Sequence, residues 1–213
     1  MRLVNSLLDR CKRIVQKYMN VIARMLDSVS GGKITPNLIT LTGLLAHLGI
    51  AWLIADGQYV LSAALLVFFG LFDALDGALA RLQKRDGPAG MLLDSITDRM
   101  KEVILYIGIA YAFINTGHYA AVVWAVAACG ASLLVSYTNA WSEVVLIGKR
   151  APHQINQSFR SGLMRFEVRM VVLILGLLSD RLIEAVALVA VLSFVTAVSR
   201  LQDVIKRLDH VQD

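Results

Sequence analysis

The sequence predicts an all-α integral membrane protein, with an N-terminal amphipathic surface helix followed by six transmembrane helices. Three observations carry that prediction. Six apolar runs, at roughly 36–55, 60–81, 90–114, 119–147, 165–179 and 182–205, mostly lie near the ~20 residues that cross a ~30 Å hydrocarbon core. Hydrophobic residues make up 57% of the 213 residues and the mean hydropathy is +0.63, which argues against a soluble fold. The basic residues are also sorted: with a cytoplasmic N-terminus, only Arg181 of the 21 Lys and Arg falls on the far side.

Residues 1–29 mix Leu7, Leu8, Ile14, Val15, Met19, Ile22 and Met25 with Arg10, Lys12, Arg13, Lys17 and Arg24. This is a basic amphipathic helix, too charged to span and suited to the membrane surface. A cleavable signal peptide fits poorly, because charges interrupt every apolar stretch in it. The segment SGGKITPN breaks the helix, and Thr35 followed by Pro36 starts the first span. Turns are marked by Ala55-Asp56-Gly57, Asp86-Gly87-Pro88, Asn115-Thr116-Gly117 and Ser179-Asp180. The fifth run is short if counted from after Arg169, so its beginning must be polar and line a cavity. Residues 1–34 therefore form a juxtamembrane helix and loop, and 35–213 a six-helix transmembrane domain. Both termini and the connections at 82–89 and 148–164 face the cytoplasm from the inner membrane. The net charge of +5 is accounted for by those connections, so no nucleic acid partner is expected. Cys11 and Cys129 stand in unrelated contexts, with neither disulfide framework nor zinc spacing.

Against this background the stretch around residues 73–98 stands out. It places Asp73, Asp76, Asp94 and Asp98 in otherwise apolar sequence, where an ionisable residue costs ~2.5–3.5 kcal/mol on insertion scales. Spacings of three and four put each pair on one face of a helix, about a turn apart. Two helices joined by a short turn can thus point four carboxylates into one pocket. That many like charges need a counter-charge, and oxygen-only ligation suits a hard cation such as Mg²⁺ or Mn²⁺.

With spacers, the stretch is Asp73-x2-Asp76-Gly77-x2-Ala80-Arg81-x8-Gly90-x3-Asp94-x3-Asp98. It resembles the signature of the CDP-alcohol phosphotransferase (phosphatidyltransferase) family at every fixed position, and a looser resemblance extends over nearly the whole chain. The resemblance implies a membrane enzyme of phospholipid synthesis. Such an enzyme transfers the phosphatidyl group of a CDP-lipid such as CDP-diacylglycerol to the hydroxyl of a polar acceptor and releases CMP. It implies two Mg²⁺ or Mn²⁺ ions held by Asp73, Asp76 and Asp94, with Asp98 as general base and close enough to share in ligation. An aspartate is a weak base in water, so that role asks for like-charge neighbours or burial around Asp98. Nucleotide contacts carry over to Asp76, to Gly77, Ala80 and Gly90, whose smallness leaves room for the nucleotide, and to Arg81, whose forked donors suit a pyrophosphate. Asn37 and Thr40 resemble further nucleotide contacts. Glu102, one turn beyond Asp98, either supports it or pairs with Lys101 or Arg99 at the helix surface. The family resemblance also implies a homodimer.

For the acceptor, 136–143 (SYTNAWSE) and 162–170 (GLMRFEVRM), with Arg200, resemble the subgroup that transfers to inositol phosphate. There the pattern is SYxKARAE with an RxER-like segment; here Asn139 stands for the lysine and Trp141 for the arginine. Asn139, Arg165, Arg169 and Arg200 are the candidate acceptor residues, although the three arginines would also serve as membrane anchors. Inositol phosphate is the leading acceptor, with glycerol 3-phosphate or a neutral or zwitterionic alcohol as alternatives. His47 reads as a packing residue, and the tryptophans as interfacial or core aromatics. A cation transporter would explain the four acids and the spans. It leaves Gly77, Ala80, Arg81 and Gly90 unexplained, and Arg81 would repel its cargo. The chain carries no nucleotide-activating domain, so another enzyme is expected to supply the CDP-lipid.

Overall fold

The computed structural model describes residues 2–147 and 164–209; most of the expected 148–164 connection and the start of the 162–170 segment lie outside the described residues. The described residues form eight α-helices and no strand: α1 (Arg2–Ser30), α2 (Pro36–Ala55), α3 (Tyr59–Gly70), α4 (Phe72–Leu82), α5 (Pro88–Asn115), α6 (Val122–Ile147), α7 (Phe166–Leu178) and α8 (Leu182–Asp209). A 3₁₀ turn, Tyr119–Ala121, leads into α6. They fall into two compact units. One takes the residues up to Leu53 and Ala64–Leu105, the other Ile54–Ala63 and the described residues from Tyr106 on.

Four helical stretches are long and apolar enough to cross a membrane: Pro36–Ala55, Tyr59–Leu82, Tyr119–Val145 and Leu182–Lys206. Between 28% and 39% of their most apolar windows is buried, and large side chains such as Trp52, Val60, Val123 and Phe194 stand exposed. Faces of that kind belong in lipid. Two of the six expected spans fall short of the same standard for separate reasons. The 28 residues of α5 suffice in length, but its first fifteen carry Asp94, Asp98, Arg99, Lys101 and Glu102. The 13 residues of α7 reach only ~20 Å at 1.5 Å per residue.

The helix ends follow local chemistry. Thr35 Oγ1 accepts from the Leu38 amide at 3.3 Å, capping α2, and Pro36 takes the first helical position, where no amide is needed. Gly57 and Gly117 adopt the left-handed conformation that closes α2 and α5 (φ 79° and 76°). Lys84 and Asp180 do the same after α4 and α7 without being glycine, at φ 54° and 55°. There the chain reverses through Arg85 N–H to Ala80 O at 2.8 Å and Arg181 N–H to Gly176 O at 2.9 Å.

In the first unit α1 packs on α4. Met19 and Ala23 meet Ala78 and Leu79 of α4 and Ile39 of α2 in one apolar cluster. The remainder of α1 leaves Ile14, Tyr18, Met25 and Val29 exposed, as a helix lying in a membrane interface would. Gln83 ties the start of the chain to the end of α4, donating to Asp27 Oδ1 at 2.7 Å and to Ile34 O at 2.9 Å.

In the second unit α8 packs against both α6 and α7. Small buried residues, among them Ala125, Ala128 and Ser132 of α6 with Ser193 of α8, allow helices to approach closely. The tightest place is Gly176 of α7, where a Cβ would overlap the Ala185 side chain. Gly176→Ala should therefore cost about 1–3 kcal/mol by overpacking, read as a lower melting temperature in detergent. Gly130→Ala, where nothing lies within 4 Å, should not lower it.

Candidate active site

Three segments of the first unit build the site. Pro36, Asn37 and Thr40 come from the first turns of α2; Asp73, Asp76, Gly77, Ala80 and Arg81 from one face of α4; Gly90, Met91 and Asp94 from the start of α5. With Arg85, Asp86 and Gly87 of the connecting turn they line an open pocket of about 180 Å³. The three-, four- and seven-residue spacings put the α4 side chains on one stripe, and the tight turn at Lys84 brings α5 back beside it. All seven residues assigned to nucleotide contact stand on this wall, together with three of the four aspartates.

The glycines leave the wall bare. A Cβ at Gly77 would meet only Arg81 Nη1, at 3.5 Å, and one at Gly90 only the Arg85 carbonyl, at 3.8 Å. A ligand can thus reach helix backbone there.

Each carboxylate has a different environment. Asp76 is buried, and its Oδ2 accepts from Thr40 Oγ1 at 2.6 Å; that hydroxyl also lies 3.2 Å from Pro36 O. Asp73 Oδ1 accepts from Lys101 Nζ at 2.6 Å. Asp98 Oδ1 accepts from the same ammonium at 3.3 Å, while Asp98 Oδ2 lies 3.8 Å from Arg99. Asp94 Oδ1 is buried with no hydrogen-bond partner. Asp98 itself lies one helical turn beyond Asp94 and is not part of the pocket wall.

Glu102 is 1% exposed and pairs with Arg99 Nη1 at 3.6 Å, so the expected surface pairing is corrected to a buried one. Through Arg99 it stands behind Asp98. Lys101, considered from the sequence only as a surface partner of Glu102, is instead a central cation, 2% exposed. Its signal was the three-residue step from Asp98, which puts both on one helix face. His47 is buried, with Nδ1 2.7 Å from the Gly43 carbonyl, which is a packing role.

The donor chemistry fits a divalent cation: every candidate ligand is a hard oxygen, and the orphaned Asp94 Oδ1 asks for a positive partner. Among the described residues no three acidic, His or Cys side chains are gathered at ligand spacing.

The second unit holds the candidate acceptor residues. Arg200 is buried and donates through Nη1 to Asn139 Oδ1 at 2.6 Å, while its Nε is buried without a partner. Arg169 is buried, donates to Met164 O at 2.9 Å and lies over the Phe166 ring at 5.9 Å. Arg165 lies 3.3 Å from Glu167 Oε1. Arg165 and Arg169 are both close enough to Arg200 for their charges to act on it. Trp141 does not enter this cluster; it is exposed and stacks on Tyr137, ring centres 6.5 Å apart.

Acids and arginines sharing a pocket on helices built for lipid define a membrane enzyme that handles a phosphate-bearing substrate. The CDP-alcohol phosphatidyltransferase family model matches residues 33–198. The chain belongs to that family, and it is a transferase of phospholipid synthesis. It is 29% identical over 207 residues to the archaetidylinositol phosphate synthase of Methanothermobacter thermautotrophicus, covering 94% of this chain and 98% of that one. The enzyme of the same name from Pyrococcus horikoshii is 28% identical over 205 residues, covering 95% and 99%. The crystal structure of Mycobacterium tuberculosis phosphatidylinositol phosphate synthase with CDP-DAG bound is similar at a TM-score of 0.76 and 27% identity, covering 88% of this chain and 94% of that one. The same mycobacterial enzyme with manganese and citrate gives 0.73 at 28% identity, covering 87% and 88%. The membrane fold is therefore of that kind.

Thr40→Val keeps the shape of the side chain and removes the donor to Asp76. It should cost about 1.5–3 kcal/mol, the range for hydrogen bonds to charged groups, read by thermal unfolding.

Proposed function

We propose that the chain transfers the phosphatidyl-type group of a CDP-lipid to a hydroxyl of inositol phosphate, releasing CMP. The observation that carries this reading is the single pocket lined by Asp73, Asp76 and Asp94 together with Gly77, Ala80, Arg81 and Gly90. In it the nucleotide enters against the bare backbone of α4 and α5, with Asn37 and Thr40 of α2 lining the same pocket. Arg81 offers two N–H groups to the pyrophosphate. Asp73, Asp76 and Asp94 would hold Mg²⁺ or Mn²⁺, with Asp98 near enough to share. Two such ions, when bound, neutralise the pyrophosphate and the charge that develops on the attacking and leaving oxygens. The acceptor oxygen attacks the lipid-bearing phosphorus, the bond from that phosphorus to the CMP oxygen breaks, and Asp98 takes the hydroxyl proton.

The arginine cluster supports a phosphate on the acceptor. The charges of Arg165 and Arg169 both bear on Arg200, and an anion beside Arg200 relieves that repulsion while satisfying its Nε. Asn139, in place of a lysine, holds Arg200 in position and adds no charge. The names of the archaeal relatives favour inositol phosphate over glycerol 3-phosphate or an uncharged alcohol.

The same reading extends to the whole molecule. Residues 1–34 form a surface helix and loop, and 35–213 form six crossings. The third crossing is α5, whose charged half lines the site; the fifth is α7 with its polar start. Both termini and the site face the cytoplasm from the inner membrane. Two copies associate as a homodimer.

The test is CMP release from ester- and ether-linked CDP-lipid in proteoliposomes with Mn²⁺ or Mg²⁺. Acceptors are inositol 1-phosphate, inositol, glycerol 3-phosphate and serine. Release with inositol 1-phosphate alone is expected; release with uncharged inositol instead overturns the anionic acceptor. Asp98→Asn should keep metal and CDP-lipid binding but lose turnover, whereas Asp76→Asn should lose metal, as metal titration of both reports. Arg200→Gln should raise the KM for the acceptor phosphate by about tenfold or more while leaving the KM for CDP-lipid in place, the size expected for one charge-assisted bond.

A further inference from the structure

We propose that Lys101 is a tethered cation that holds the place of a divalent metal ion at Asp73, so that metal entry displaces its ammonium and releases Asp98. The inference rests on the metal-binding reading of the aspartates given above, and goes beyond it by assigning a role to a residue outside the motif.

The geometry points this way on three counts. The ammonium lies 2.6 Å from Asp73 Oδ1 and 3.3 Å from Asp98 Oδ1, joining a carboxylate of α4 to one of α5. Lys101 is 2% exposed, so its charge is compensated by these carboxylates rather than by water. Its stem runs past Gly43 of α2, where a Cβ would stand 3.9 Å from Cε and 4.0 Å from Nζ, so the side chain is led to the acids rather than out to the surface.

With the ammonium there, two of the four carboxylates share one counter-charge. That gives a physical reason why no three of the acids are gathered at ligand spacing among the described residues. Asp94 Oδ1, which Lys101 does not reach by a hydrogen bond, is left buried without a partner. A cation arriving through the pocket finds the unpartnered oxygen of Asp94, and completes its ligation only by taking Asp73 from Lys101. While Lys101 holds Asp98 Oδ1, that oxygen is engaged as an acceptor and is not available to receive a substrate proton. Metal loading and liberation of the base are then one event. Lys101 acts through Asp73 and Asp98 and is a positioning residue.

The experiment is Mn²⁺ titration of the full chain in detergent, with free Mn²⁺ read by electron paramagnetic resonance, for the wild type, Lys101→Met and Lys101→Arg. Lys101→Met should bind Mn²⁺ about tenfold more tightly than the wild type, and Lys101→Arg, which keeps the charge, should not. Equal or weaker binding by folded Lys101→Met overturns the proposal. Should Lys101→Met fail to fold, a structure of the wild type with Mn²⁺ decides. Displacement of Nζ beyond about 4 Å from Asp73, the limit of an ion pair, is expected, and retention of the ion pair overturns the proposal. No Mn²⁺ binding by wild type or variant would overturn the metal reading itself, and this inference with it.

Discussion

A carboxylate set into an apolar helix has to be neutralised where it stands, and the packing of α2, α4 and α5 follows from how this is done. Lys101 draws Asp73 and Asp98 together across two helices. Thr40 reaches from α2 to Asp76, so the entry to the first span is tied to the acid at the centre of α4. These polar links join the helices at the site, where apolar packing alone would leave their rotation free. They also separate the acids by function. Asp73, Asp76 and Asp98 have partners within the protein, while Asp94 keeps an oxygen in waiting.

The second unit has the opposite problem. Arg169 and Arg200 are buried, and a cation costs as much to bury as an anion. Arg169 donates to the Met164 carbonyl and Arg200 to the Asn139 amide oxygen, and these neutral groups orient the guanidinium groups. The first unit thus keeps Asp94 Oδ1, and the second Arg200 Nε, buried without a hydrogen-bond partner.

Much of this could be read from the residues because the spacing carries the geometry. Asp73, Asp76, Gly77, Ala80 and Arg81 share a helix face by their intervals alone, and the short turn brings Gly90 and Asp94 opposite them. The breaks at Gly57 and Gly117 were equally plain, since glycine there supplies the left-handed conformation. What stayed hidden depends on packing between segments. Lys101 beside Glu102 looks like an ordinary surface pair until α5 is laid against α4. The bond from Arg200 to Asn139 joins residues 61 apart, and no periodicity announces it. Hydropathy marked α5 as a crossing like the others, but the charged side chains from Asp94 to Glu102 keep it below the standard of the four long apolar spans, and α7 is short, as the polar start of its run suggested.

The link from Gln83 to Asp27 and Ile34 has a consequence for where the reaction sits. The donor's nucleotide is water-soluble and its tails are not, so the scissile bond must be held at the boundary between the two. A helix lying in the headgroup plane keeps a nearly constant depth, because sinking wets its tails of lysine and arginine in oil and rising strips its apolar face of lipid. By fastening the end of α4 to α1, Gln83 gives the pocket a plumb line. With α1 in that plane, the height of the α4 aspartates would be measured from the membrane surface itself and not from the length of the spans, and a bilayer that thickens or thins would leave them at the same level.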